Sequence, residues 1–159
     1  PEAPGPKGQW ALMTALMFGF IDTAKALARK GASVDGLAAA AGLGEAAAAT
    51  ALLPQADARE RHAALALASQ HGHVEIVELL LDAGEDPDRY NPEGLHAQST
   101  PMHQAVAAGH LSVVRRLAER GARLDIADRI YKATPYDWAI HGGKQEVAAY
   151  LKARQKWQP

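Results

Sequence analysis

The chain has 159 residues, of which 48% are hydrophobic but only 6% aromatic, room for one domain or one short solenoid with a thin core of alanine and leucine. A formal net charge of −1 supplies no field for nucleic acid or an anionic membrane, so neither is expected as a partner, and no basic step is denser than Arg115-Arg116. Without cysteine there are no disulfides, thiolate metal sites or thiol nucleophiles, which fits a cytoplasmic location.

Residues 1–9 read as a tail, and because the chain opens at Pro1 a removed leader or an upstream domain is an open expectation. Trp10, Leu12, Met13, Leu16, Met17, Phe18, Phe20 and Ile21 then form an apolar stretch too short to cross a bilayer. Gly19 breaks it, and Thr23, Leu27, Gly31 and Ala32 complete a helix pair. A second pair starts near Asp35 and carries Gly44, Ala48, Ala49, Leu52 and Leu53. Gly42-Leu43-Gly44 follows no strand, so it reads as a helix junction rather than a phosphate loop. Asp57-Ala58-Arg59-Glu60 is a cap sequence, which starts the third pair's first helix close to Asp57.

The third unit continues with Leu65, Ala68, Gly72-His73, Ile76-Val77, Leu80-Leu81 and Gly84. A long link, Asp86 to Ser99, contains Arg89, Tyr90, Leu95 and His96. The clearest unit follows: Thr100-Pro101-Met102-His103-Gln104-Ala105, Gly109-His110, Val113-Val114, Leu117 and Gly121-Ala122. Its copy is Thr134-Pro135-Tyr136-Asp137-Trp138-Ala139, with Gly143, Val147 and Tyr150-Leu151. Thr100 to Thr134 is 34 residues, and threonine to glycine is nine residues in both. Lys144, Gln145, Glu146, Lys152, Arg154 and Lys156 give the last unit a polar outer face, and 155–159 read as a tail.

Each part of the unit has a physical reason. Threonine caps the first helix, and proline sits at its first position, where a missing N–H costs nothing. A small alanine lets helices approach, glycine ends the helix, and the valine–leucine spacing packs the second helix on its neighbours. Thr134 and Asp137 have the spacing of a capping box.

This pattern resembles the ankyrin repeat, whose mark is Thr-Pro-Leu-His-x-Ala at a period of about 33 residues. The resemblance is strong over 63–154 and weaker before. It implies an all-α solenoid of about five helix-turn-helix repeats over 10–154, starting near 10, 35, 63, 100 and 134, with short hairpin fingers between pairs. The spacings are 25, 28, 37 and 34, so the first two links are short for a finger and the third is long. The resemblance further implies a non-enzymatic scaffold that binds another protein through its fingers and concave helix face. The alternatives are a regulatory or targeting domain cut from a larger protein, and a histidine-dependent metal hydrolase.

Seven histidines invite that last reading. His73 and His110 fall on the family's Gly-His position and His103 on its helix-start histidine. His62, His71, His96 and His141 lie in different units without a metal-ligand spacing, so no metal site and no cofactor is expected. Tyr90 and Tyr131 lie on fingers, where a large aromatic gains little from folding and suits binding. Trp138 reads equally as a packing residue of the last repeat. The expected partner surface comprises finger residues Arg89, Tyr90, Leu95, His96, Ile130 and Tyr131 with concave-side Gln104, Trp138 and His141, lined up by repeat stacking into one patch. The nearly all-apolar first pair predicts a cover, either residues 1–9 or self-association with a second copy.

Overall fold

The computed structural model describes residues 8–156, and the stretches 1–7 and 157–159 lie outside the described residues. Ten helices form five pairs there: α1 (Gln9–Met17) with α2 (Ile21–Arg29), α3 (Leu37–Leu43) with α4 (Ala46–Leu52), α5 (Ala58–His71) with α6 (Val74–Asp82), α7 (Pro101–Ala108) with α8 (Leu111–Glu119), and α9 (Pro135–His141) with α10 (Gln145–Gln155). Inner helices α3, α5, α7 and α9 stack in order, and so do outer helices α4, α6, α8 and α10. The chain is therefore an all-α repeat solenoid. No helix among the described residues is long and apolar enough to cross a membrane.

Local chemistry sets these boundaries. Asp57 caps α5 by accepting the Glu60 N–H at 2.8 Å, so the second link is absorbed into helix as its cap sequence predicts. Glu60 reaches across to accept the Leu37 N–H at 2.7 Å, which satisfies an orphan donor at the start of α3. Thr134 and Asp137 close the capping box.

The Gly-His step joins repeat to repeat. Gly72 has φ +82, and a Cβ there would lie 2.7 Å from Nδ1 of His110; at Gly44 it would lie 2.6 Å from Cε1 of His73. Glycine thus supplies both the left-handed helix end and the space for the next repeat's imidazole. His73 Nε2–H donates to the Gly42 carbonyl at 3.0 Å, and His110 bonds the Gln70 carbonyl one repeat on. Both are inter-repeat hydrogen-bonding residues.

Between the helix layers, Leu65, Ile76, Leu80, Met102, Val106, Val113, Leu117 and Leu151 are fully or almost fully buried. Arg116 pairs with Glu78 at 3.0 Å and Arg120 with Asp82 at 2.8 Å, linking α8 to α6 on the outer surface. Exposed pairs of this kind contribute little beside the apolar seam.

Two features depart from the sequence reading. The fingers are turns rather than hairpins, since no strand forms among the described residues. A few bonds close them: Asn91 N–H to Ser99 O at 2.8 Å, Asp128 N–H to Ala133 O at 2.8 Å, and Arg129 N–H to Gln98 O at 2.8 Å.

The first pair also does not continue the stack in line. The Leu16 and Met17 carbonyls accept hydrogen bonds from His71 (2.8 Å) and Gln70 (3.0 Å) of α5, two repeats away. In the regular stack each repeat bonds only its neighbour. α1 is therefore laid across α3 onto α5, with Leu12, Ala15 and Leu16 in one apolar cluster with Ala38, Ala39, Leu43, Ala63 and Leu67. Close approach is possible because a Cβ on Gly42 would lie 2.9 Å from Leu16 Cδ1. α2 rests on α3 instead of joining the outer row. Trp10, Phe18 and Phe20 remain 73%, 58% and 62% exposed. The cover expected from residues 1–9 falls largely outside the described residues.

Candidate partner-binding surface

Asp128 organises the fourth finger. Its buried carboxylate accepts the N–H groups of Ile130 (2.8 Å), Tyr131 (2.7 Å) and Ala133 (3.1 Å), and the Trp138 indole N–H at 3.0 Å. Burial alone would favour the neutral acid. The indole and the three backbone donors outweigh it and hold the carboxyl at about 2, so Asp128 is ionised at neutral pH. Lys132 takes a left-handed backbone, φ 56, to close the turn. This loop presents Ile130 and Tyr131 at its tip, 61% and 78% exposed.

The neighbouring finger braces it. Tyr90 donates its hydroxyl to the Ala127 carbonyl at 2.7 Å, and the Arg129 guanidinium lies 4.0 Å over the Tyr90 ring. The Arg123 N–H bonds Asp88 at 2.8 Å, tying the finger bases together. Arg89 is exposed, while its backbone carbonyl lies 3.3 Å from His62 Nε2.

The structure separates the residues that the sequence grouped into one patch. Tyr90 is half-buried between two fingers, where a free aromatic was expected. Leu95 is half-buried against the α1 cluster, and His96, with φ 59, donates through Nε2 to the Met17 carbonyl at 3.0 Å. The long link thus folds back onto the first pair and does not project. Gln104 is buried, donating to Ser99 Oγ at 2.8 Å, because the link's last turn closes over it. Trp138 is half-buried, edge-on to His103 at 5.0 Å, which satisfies its packing reading. His141 is exposed at the end of α9.

Sequence reasoning missed Arg129, whose cation–π contact depends on finger pairing, and Ile140, 58% exposed. The second had a signal. Ile140 matches Val106, which the next repeat buries, and no further repeat among the described residues stacks on α9 to cover it.

His62, His71, His73, His96 and His103 each bond a backbone carbonyl of another element, while His141 is exposed. His103 Nε2 donates to the Ala133 carbonyl at 3.2 Å, so its Nδ1 is the acceptor for the Thr100 N–H (3.3 Å) and hydroxyl (2.9 Å). Burial lowers the pKa of His103, as it does for His71, His73 and His110, despite a backbone bond that raises each. Among the described residues, no three histidine or carboxylate side chains converge as a metal site would require.

Known proteins match this architecture. The ankyrin-repeat profile of three copies matches residues 3–91, and a single ankyrin repeat matches 98–129. XBAT31 of Arabidopsis thaliana, by name a candidate E3 ubiquitin-protein ligase, is 36% identical over 105 residues, covering 65% of this chain and 22% of that protein. Cyclin-dependent kinase 4 inhibitor B of Rattus norvegicus is 35% identical over 82 residues, covering 52% of this chain and 60% of that protein. Human cyclin-dependent kinase inhibitor 2A is 37% identical over 82 residues, with 52% and 50% covered. The chain spans about three fifths or less of the length of these relatives. The glycine–histidine ladder, the capped inner helices and the profile over more than half of the sequence lead to one conclusion: the chain belongs to the ankyrin repeat family.

Proposed function

We propose that this chain is a non-enzymatic protein-binding module whose contact surface centres on the fourth finger. The observation that carries this reading is the Asp128 turn. It fixes the backbone of Ile130 and Tyr131 before any partner arrives, and that lowers the entropy lost on binding. An exposed tyrosine and isoleucine beside the Arg129–Tyr90 pair have the aromatic–arginine composition of an interface centre. Exposed His141 and Ile140 on α9 and the outer edge of Trp138 extend the surface. Arg89 lies at its margin, while Leu95 and His96, packed on the first pair, and buried Gln104 fall outside it. The relatives named as kinase inhibitors act on proteins, which agrees with a protein partner.

A regulatory or targeting module within a larger protein is the second reading, favoured by the 22% of XBAT31 that the chain covers. The test of the first compares captures from native extract by the unchanged chain and by an Ile130→Ala/Tyr131→Ala chain of equal melting temperature. Loss of a captured protein with the double variant supports finger four. Equal capture by both overturns it.

A further inference from the structure

We propose that the concave seat over α3 and α5 is a helix-binding site that the chain fills with its own α1. Its external ligand is an amphipathic helix of a partner protein with aliphatic side chains three and four residues apart. This surface is separate from finger four and does not depend on that reading.

The occupant defines the chemistry of the seat. α1 presents Leu12, Ala15 and Leu16, one face at helical spacing, to small and aliphatic side chains that include Ala39, Leu43 and Leu67. In alignment with the later repeats, Ala39 and Leu67 occupy the position of Gln104 and Trp138, so the covered surface is the inner face of the solenoid. The end of α1 is held as a docked helix would be. Side chains of His71, Gln70 and His96 donate to its last carbonyls, groups that every helix leaves unpaired. A seat with three donors at one end and an aliphatic floor fits the C-terminal turn of any helix with α1's spacing.

Several observations mark α1–α2 as removable. α2 makes its main contacts with α1 and α3 rather than with the outer-row helix α4. Two clefts flank the hairpin: one of about 390 Å³ between Lys25, Arg29, Leu43 and Glu45, another of about 380 Å³ between Ile21, His71, Gln104 and His110. Both clefts open to the surface, so solvent already reaches the edges of the hairpin. The hairpin also exposes Trp10, Phe18 and Phe20, so its largest side chains gain little from staying down. A hairpin bound in this way opens locally, below the free energy of global unfolding.

The test uses the full-length chain. Native hydrogen exchange on the unchanged protein should show α1–α2 amides exchanging through an opening that leaves α5–α8 protected. A fluorescein-labelled peptide of residues 8–30 is then titrated into the unchanged chain and into a Leu12→Asp/Leu16→Asp chain. The peptide should bind the variant at least about tenfold more tightly, because the unchanged seat is free only in the opened fraction. Gly42→Ala is the second variant. Its Cβ presses on Leu16 while favouring helix α3, so it should raise α1–α2 exchange alone. Exchange of α1–α2 only together with α5–α8 would overturn the proposal. So would equal peptide binding to both chains, no binding to a folded variant, or a concentration-dependent dimer that exchanges α1 between copies.

Discussion

Asp128 accepts the indole N–H of Trp138 at 3.0 Å, so the carboxylate that shapes the fourth finger is anchored to the helix that follows it. Asp128→Ala removes the acceptor for one half-buried indole and three backbone amides. The expected loss is about 1–3 kcal/mol of stability. Amides of Ile130, Tyr131 and Ala133 should lose exchange protection first. Equal loss across α5–α8 would show instead that the carboxylate supports the whole solenoid.

Tyr90→Phe deletes only the hydroxyl bond to Ala127 and should cost about 0.5–1.5 kcal/mol. Tyr90→Ala also removes the ring beneath Arg129 and should cost more, by about 0.5–1 kcal/mol for the cation–π contact alone. Thermal melts of the pair decide this. An unchanged melting temperature in Tyr90→Ala would return the residue to the freely exposed role that its place on a long link suggests.

Leu80 is wholly buried in the seam between repeats. Leu80→Ala should cost about 2–5 kcal/mol, read from urea unfolding at constant slope. The cost should exceed that of either Tyr90 variant.

Acid should weaken the fold in a defined window. Burial depresses the pKa values of His71, His73, His103 and His110 below 6.5, so the unfolded chain binds more protons. Their contribution is complete above about pH 6.5 and is lost as pH falls through the depressed values. Protonation of His103 also removes the Nδ1 acceptor that closes the start of α7. Melting temperature measured from pH 8 to pH 5 should therefore decline below about 6.5. His103→Gln should flatten part of that decline. Asp128 becomes relevant only below about 3.8, where the carboxyl of the unfolded chain takes up protons while the folded one, held at about 2, stays ionised.

The solenoid was legible in the sequence because its signals are local and repeated. The Thr-Pro start, the Gly-His junction and the paired aliphatics recur at fixed offsets, and the Asp57 cap revealed where a finger became helix. The surface was less legible. Ile130, Tyr131 and His141 read as exposed and are exposed. Leu95 and His96 read the same way because a long polar link normally projects. Their fate depends on α1, nearly 80 residues earlier, whose path across α3 is set by the lack of a side chain at Gly42 and by donors on α5. Gln104 failed for a related reason: Ser99 closes over it through a turn that no spacing rule foretells. Cross-repeat contacts of this kind have no period to read.

The folded-back link has one more consequence. At its crest Glu93 and Gly94 are exposed, and nothing lies within 4 Å of a Cβ placed on Gly94, while the stretches on either side are tied down at Tyr90, Asn91, His96 and Ser99. A single peptide bond cut here would sever the chain without removing any of these anchors. The broad buried seam between α5 and α7 would remain to hold the pieces together. Two separately produced fragments divided at Gly94 should therefore recognise each other and reassemble, making this repeat array a natural split protein.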